Sequence, residues 1–228
     1  MKIAILGASG ATGKLLTSRC LAAGYEVAAL LRTPETFRAA YLRAGPAGDP
    51  SLHEPAPIRV VRGNAFDPAA VRETIQGADA VLSALGARSP IRNENVLPRA
   101  VPLIVAAMQQ TGVRRIIVLG SAGALPTALD NQPAYRRWIV ENIINKTLLK
   151  WPVAEQVSQY AALSHSDLDW TMVMPPMLTN GPSRGTYRID GKALPRNGSR
   201  ISRQDVADFM MQQLDNPQWI RKGVYITW

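Results

Sequence analysis

Cysteine is nearly absent from this sequence: among 228 residues there is one, Cys20. A lone cysteine cannot close an internal disulfide. Its place on the apolar face of an expected helix points to a buried thiol in a reducing compartment, the cytoplasm. Histidine is almost as scarce. His53 and His165 stand far apart, and with one cysteine they offer no zinc site of the usual ligand spacing, so no metal is expected. No apolar run reaches the roughly eighteen residues of a transmembrane helix, and no membrane partner is expected. The chain enters its first strand, Lys2-Ile3-Ala4-Ile5-Leu6, without the charged and apolar regions of a signal peptide. There is no internal repeat and no sign of a second hydrophobic core. Acidic residues are the minority, 17 against 26 Lys and Arg, for a formal charge of +9. The basic residues are dispersed rather than run together or interleaved with aromatics. That argues against nucleic-acid binding and for a solvated basic surface.

What the sequence has is alternation. Short apolar runs read as strands at Lys2–Leu6, Glu26–Leu31, Ile58–Val61, Ala80–Ala84, Arg115–Leu119, Trp170–Met174 and Val224–Thr227. Amphipathic stretches between them read as helices at Thr12–Ala23, Pro34–Leu42, Pro68–Ile75, Glu94–Gln110, Ala154–Leu163 and Ser202–Leu214. Strand–helix alternation predicts βαβ crossovers and an α/β, doubly wound parallel sheet with helices on both faces, in one domain over residues 1–228. Asp67-Pro68 is an N-cap followed by a first-turn proline, and Ser202 precedes Asp205 at capping-box spacing. Gly24 and Gly112 stand where helices should stop. Residues 44–57 read as a loop. Residues 123–153, with a helical piece around Tyr135–Leu149, and the Pro-, Gly- and Arg-rich residues 175–200 are expected to cover a substrate pocket.

Directly after the first strand comes Gly7-Ala8-Ser9-Gly10-Ala11-Thr12-Gly13. Gly7 permits a tight turn, Gly10 leaves room for an anion to reach backbone N–H groups, and Gly13 lets the helix pack close to the strand. A helix N-terminus with free N–H groups receives phosphate, and the hydroxyls of Ser9 and Thr12 can add donors. Three glycines alone are a weak signal. The strand before, the helix after and a second strand ending about twenty residues on make this a dinucleotide-binding turn. At the end of that second strand an acidic residue would bond a ribose 2′-hydroxyl; here stand Arg32 and Thr33, which suit a 2′-phosphate, with Arg38 further on. The cofactor predicted is therefore NADP(H), and the positive field of the chain would attract it. Gly63-Asn64-Ala65-Phe66 follows the third strand where the adenine should lie, with Asn64 and Ala65 as candidate contacts. Ser83-Ala84-Leu85-Gly86 ends the fourth strand with small residues suited to a close cofactor approach. Either segment is also compatible with an ordinary strand-to-loop turn.

These segments, together with Leu119-Gly120-Ser121 and the run Asp167–Pro176, resemble the atypical short-chain dehydrogenase/reductases with an NAD(P)H-binding domain, and within them the biliverdin-IXβ reductase/flavin reductase-like proteins. The resemblance runs from Met1 to the last strand. It implies strand order 3-2-1-4-5-6-7, with the cofactor across the carboxyl ends of the strands. It also implies that Ser121, at the end of the fifth strand, lies beside the nicotinamide. Met174-Pro175-Pro176-Met177 would line the nicotinamide pocket, Pro175 and Pro176 through the backbone. The chain departs from the wider group in its proton-transfer residues. No tyrosine is followed by lysine four positions on, so the usual tyrosine general acid is missing. Where relatives carry a Lys-x-x-x-Glu pair, this chain has Gln156 and Tyr160. Tyr160 is a candidate proton donor or a core aromatic.

Other side chains carry less. His165 reads as a solvated turn residue, and Trp138 and Trp151 as packing residues. Arg88, Arg184 and Arg188 read as anion-holding or as surface residues. The function expected is NADPH-dependent hydride transfer to a conjugated small-molecule acceptor of the flavin, quinone, tetrapyrrole or enone class. A non-catalytic NADP(H)-binding sensor or assembly factor is the alternative. The partner is a small molecule, and the protein a monomer or homodimer.

Overall fold

The computed structural model describes residues 1–35, 37, 58–87, 89, 92–144 and 149–228. Arg38, Arg88, His53, residues 44–57 and most of the helix expected at Pro34–Leu42 lie outside them. Among the described residues a sheet of eight strands organises the fold. Its strands are β1 (Lys2–Leu6), β2 (Glu26–Leu31), β3 (Ile58–Arg62), β4 (Ala80–Ser83), β5 (Arg115–Leu119), β6 (Asp169–Met174), β8 (Arg188–Asp190) and β10 (Lys222–Thr227), in the order β3-β2-β1-β4-β5-β6-β10-β8. The first seven pair in parallel, and β8 pairs antiparallel with β10 at the edge. The expected order of seven strands is thus observed, with β10 as the seventh. The addition is β8, three residues from the Arg-rich segment. Beside the sheet, β7 (Met177–Thr179) and β9 (Arg200–Ser202) form a small parallel pair.

Helices occupy both faces because the strands are apolar on both sides. On one face, Ala4, Leu6, Val81, Ile116, Val118, Trp170 and Met172 meet α2 (Pro68–Ile75), α3 (Val96–Thr111) and α5 (Lys150–Ser164). On the other, Ile3, Ile5, Val27, Leu82, Ile117, Val173 and Val224 meet Leu16 and Cys20 of α1 (Ala11–Ala22) and Val206, Phe209 and Met210 of α6 (Arg203–Gln212). Neighbouring residues of one strand go to opposite cores, the period-two pattern of a pleated sheet. Cys20 is fully buried, and burial pushes its thiol up to about 12, as expected of a structural cysteine.

Local chemistry sets the helix ends. The Asp67 carboxylate accepts from the N–H groups of Ala69 and Ala70 at the start of α2. Ser202 caps α6 by accepting from Asp205 N at 3.0 Å, and its own hydroxyl donates back to the Asp205 carboxylate at 2.8 Å. The carboxylate of Asp205 also accepts from Ser183 Oγ, the backbone N–H groups of Arg184 and Gly185, and Trp228 Nε1. It therefore joins the 183–185 segment and the chain end to α6. No described helix is long and apolar enough to cross a membrane.

Candidate functional site

The carboxyl ends of β1, β2, β4, β5 and β6 lie along one edge of the sheet, and the turns that leave them build the candidate site. At its centre β1 runs into Gly7, whose φ of 82° is left-handed. A Cβ on Gly7 would stand 2.7 Å from the carbonyl oxygen of Ala84, so the turn after β1 touches the chain leaving β4. The Gly10 N–H donates back to Gly7 O at 3.0 Å. Gly13 is the tightest point: a Cβ there would lie 2.0 Å from Gly7 O. The first turn of α1 can therefore sit on the β1 turn only without a side chain at 13. Gly10 differs, since its Cβ would meet nothing nearer than Gly7 O at 3.3 Å.

This helix start is open. Gly10 is the N-cap of α1, no side chain caps it, and no acidic residue lies in its first turn. Ser9, Gly10 and Ala11 are exposed, while Thr12 and Gly13 are buried. The first N–H groups of an α-helix have no partner within it. Here they face outward from a twelve-residue helix whose dipole favours an anion.

Arg32 and Thr33 follow β2 at the same edge and are exposed. Across the sheet Leu31 is in register with Arg62, which ends β3 and makes a 3.6 Å ion pair with Glu35. Arg62 is a second guanidinium on the edge that carries Arg32. The sequence did not single it out, because only the β2–β3 register brings it there. The turn after β3 is self-contained. Asn64 Oδ1 accepts from Phe66 N at 2.7 Å, and Asn64 O from Asp67 N. Ala65 and Phe66 pack on the core. The Asn64 oxygen that would meet an exocyclic amine therefore already holds the turn.

Ser83 is buried as the last residue of β4, in register with Leu6 and Val118. Ala84, Leu85 and Gly86 leave the sheet beside Gly7. At the end of β5, Gly120 N donates to Val173 O at 2.7 Å, and Ala122 N to Pro175 O at 2.8 Å. Ser121 stands between these two bonds. It caps the short turn Ala122–Ala124, accepting from Gly123 N at 3.4 Å, which leaves its own proton to donate. The backbone thus joins Ser121 to Pro175, while Pro176 is partly exposed and Met177 exposed.

Tyr160 is not at this edge. Its ring meets Trp170 edge-on at 5.5 Å, near the amino end of β6. It also packs against the position of Gly223. Since α5 runs antiparallel to the strands, its early residues reach the carboxyl edge and Tyr160 falls back into the core. Of the two readings of Tyr160, the geometry matches the core aromatic. The side chains of α5 that do reach the edge are Glu155 and Gln159, both buried. Gln159 Nε2 donates to Leu119 O at 3.2 Å and to Gln156 Oε1 at 3.1 Å. Glu155, Gln159 and Leu163 share one helix face at steps of four. That spacing was legible, but it did not say that α3 would stand opposite.

Arg184 and Arg188 serve the chain end. Arg184 lies 3.8 Å over the Trp228 ring, and Arg188 donates to the carbonyls of Arg196 and Trp228. His165 is exposed at the end of α5 with Nδ1 2.7 Å from Ala161 O. The reading of Trp138 as a packing residue is corrected: it is 59% exposed. It belongs to α4 (Ala134–Ile139), which continues as a wider turn over Val140–Ile144 and has no buried residue. Trp151 is half-buried under the Lys150 ammonium. Among the described residues no group of three His, Cys, Asp or Glu could hold a metal.

Residues 7–217 match the model of an NAD(P)H-binding family. The chain belongs to this NAD(P)H-binding family. Its cofactor is accordingly a nicotinamide dinucleotide, and the resemblance to proteins with an NAD(P)H-binding domain is borne out. Among curated proteins, the oxidoreductase stcQ of Emericella nidulans is 24% identical over 93% of this chain and 76% of its own length. The reductase pytE of Aspergillus terreus is 25% identical over 99% of this chain and 97% of its own. Solved structures share the fold. A short-chain dehydrogenase/reductase of Veillonella parvula in complex with NADP superposes with a TM-score of 0.75 at 19% identity, over 100% of this chain and 94% of that one. ChuY, an anaerobillin reductase of Escherichia coli O157:H7, superposes at 0.76 and 18% identity, over 100% and 97%.

Proposed function

We propose that this protein is an NADPH-dependent oxidoreductase that passes hydride to a conjugated small-molecule acceptor of the flavin, quinone, tetrapyrrole or enone class. One observation carries the reading. The open start of α1, Arg32 after β2, and the joined Ser121 and Pro175 after β5 and β6 stand along one edge of the sheet in the order a dinucleotide needs. The glycine cradle fits a pyrophosphate, because Gly10 lacks a side chain where the N–H groups open outward. Arg32, with Arg62 beside its strand, supplies charge for a 2′-phosphate. Neighbours named oxidoreductase and reductase support the activity.

When bound, the cofactor supplies a hydride from nicotinamide C4. The chain's own residues do the positioning. Ser121 holds its oxygen on Gly123 N and offers its proton to an acceptor oxygen or a ribose hydroxyl. Pro175 and Pro176 form a wall without N–H donors. The described residues of 123–144 and 149–153, with 175–200, act as a cover. Thr127 Oγ1 donates to Lys192 O, and Gln132 binds the backbone at Leu194, Pro195 and Asn197. No tyrosine is followed by lysine four positions on, so the usual proton-delivering Tyr-x-x-x-Lys pair is missing from the sequence. A conjugated acceptor suits this site because it delocalises the incoming charge and takes its proton from solvent. Steady-state NADPH oxidation against flavins, quinones and enones tests the reading. Oxidation with at least one class is expected. Binding of NADPH without oxidation by any class would replace it with a cofactor-dependent sensor.

A further inference from the structure

Glu155 is 3% exposed, and its two carboxylate oxygens are not equivalent. Oε2 accepts from the backbone N–H of Leu97 at 3.0 Å, in the first turn of α3. The N-cap of that helix, Asn95, makes no side-chain cap bond. Glu155 therefore caps α3 from a distant helix. Oε1 is buried and has no hydrogen-bond partner. Capping accounts for one oxygen only, and a buried acceptor without a donor is costly enough that native proteins rarely keep one.

The same side chain lines a cavity of about 200 Å³ with Gly86, Ala87, Ser89, Leu97, Pro152 and Gln156. Gly86 and Ala87 follow β4, whose carboxyl end touches the Gly7 turn, so this cavity adjoins the candidate site. A space of that size takes a small flat ring rather than a single water. A carboxylate oxygen attracts N–H donors and repels carbonyl oxygens.

We propose that Glu155 Oε1, closed off from solvent in this structure, is uncovered toward this cavity by a small side-chain rotation when the acceptor enters, and accepts a hydrogen bond from its ring N–H. The site would thereby select conjugated acceptors that carry an N–H over those that present only carbonyl oxygens. This rests on the reductase reading and narrows its acceptor class. Glu155 is a specificity residue in this account, and the hydride step does not pass through it.

A glutamine at 155 makes the idea sharp. The Leu97 N–H can only donate, so the amide oxygen must face it, and the amide NH₂ takes the place of Oε1. Glu155→Gln keeps the cap and turns an acceptor into a donor. The probes are isatin, which has a ring N–H beside conjugated carbonyls, and N-methylisatin, which lacks it. Each is titrated by calorimetry into the protein saturated with NADP⁺. Wild type should bind isatin about tenfold or more tighter than N-methylisatin. Glu155→Gln should abolish or reverse that preference, with the melting temperature and NADP⁺ affinity nearly unchanged. Equal binding of the two probes by wild type, no binding of isatin, or an unchanged preference in Glu155→Gln overturns the proposal. A parallel loss of NADP⁺ affinity does so too, since Glu155 would then serve the cofactor. Because these are binding measurements, they stand apart from the reductase reading. Reduction of N-methylisatin or a quinone without isatin preference would keep the enzyme and remove this role for Glu155.

Discussion

The backbone N–H of Ala122 donates to the carbonyl of Pro175 at 2.8 Å. The turn that carries Ser121 and the proline pair that ends β6 therefore move as one unit. A hydroxyl held this way keeps its orientation without help from a ligand, and reacting groups lose rate steeply when misplaced. Ser121→Ala should slow single-turnover hydride transfer by about ten- to a hundredfold with a working acceptor. Tyr160→Phe, which alters only a hydroxyl in a ring packed on Trp170, should stay within about threefold. A hundredfold loss in Tyr160→Phe with Ser121→Ala near normal would show the ranking to be wrong.

Gly10 and Gly13 should separate binding from folding. A Cβ at 13 would lie 2.0 Å from Gly7 O, a backbone atom that cannot swing aside. Gly13→Ala should lower stability by about 1–3 kcal/mol or more, read as a fall in melting temperature. At Gly10 the nearest contact is 3.3 Å and the φ is −73°, which any residue adopts. Gly10→Val should lose less stability than Gly13→Ala, because Gly7 O need give only a few tenths of an ångström, yet bind NADPH at least about tenfold more weakly, because its side chain stands where the pyrophosphate needs the N–H groups. Normal NADPH binding by Gly10→Val would put the phosphate site elsewhere.

Arg32→Ala should lose about 1.5–3 kcal/mol of NADPH affinity and leave NADH affinity nearly unchanged. Arg62→Ala should show the same sign with a smaller loss, since Arg62 is shared with Glu35. Calorimetry with both cofactors reads the difference. An unchanged NADPH-to-NADH ratio in Arg32→Ala contradicts the assignment.

Asp205 gives a pH dependence. Burial alone would raise its carboxyl, but hydrogen bonds from Ser183, Ser202, Trp228 and the Arg184 backbone outweigh it and hold the group at about 2. A carboxyl lower in the folded than in the unfolded chain stabilises the fold above the unfolded value, near 4. That stability is lost as pH falls from about 4 through about 2. The contribution is on the order of 2 kcal/mol. Asp205→Asn should be less stable than wild type at pH 7, and the gap should narrow toward pH 2 in denaturant titrations. A gap independent of pH would show that size and packing at 205 matter, not charge.

The parts of this molecule governed by near neighbours were legible in the sequence. The β1 turn, the Asp67-Pro68 cap and the helix stops at Gly24 and Gly112, both with positive φ, depend on residues a few positions apart. The parts that depend on register or on opposed elements were not. Arg62 joins the Arg32 edge only through the Leu31–Arg62 pairing. Glu155 gains meaning only because the bare start of α3 faces it. Three residues of β8 have no periodicity to detect and form a strand because β10 offers an edge. Trp138 misled because an aromatic at helical spacing usually marks a core, and here it stands exposed with Tyr135.

The most direct test of the account is a stopped-flow measurement of NADPH absorbance at the instant the NADPH-loaded protein meets each acceptor without oxygen. The account predicts a decay with at least one flavin, quinone, tetrapyrrole or enone, at a rate that saturates with acceptor and falls in Ser121→Ala. NADPH that is bound, by calorimetry, and keeps its full absorbance with every acceptor would contradict it.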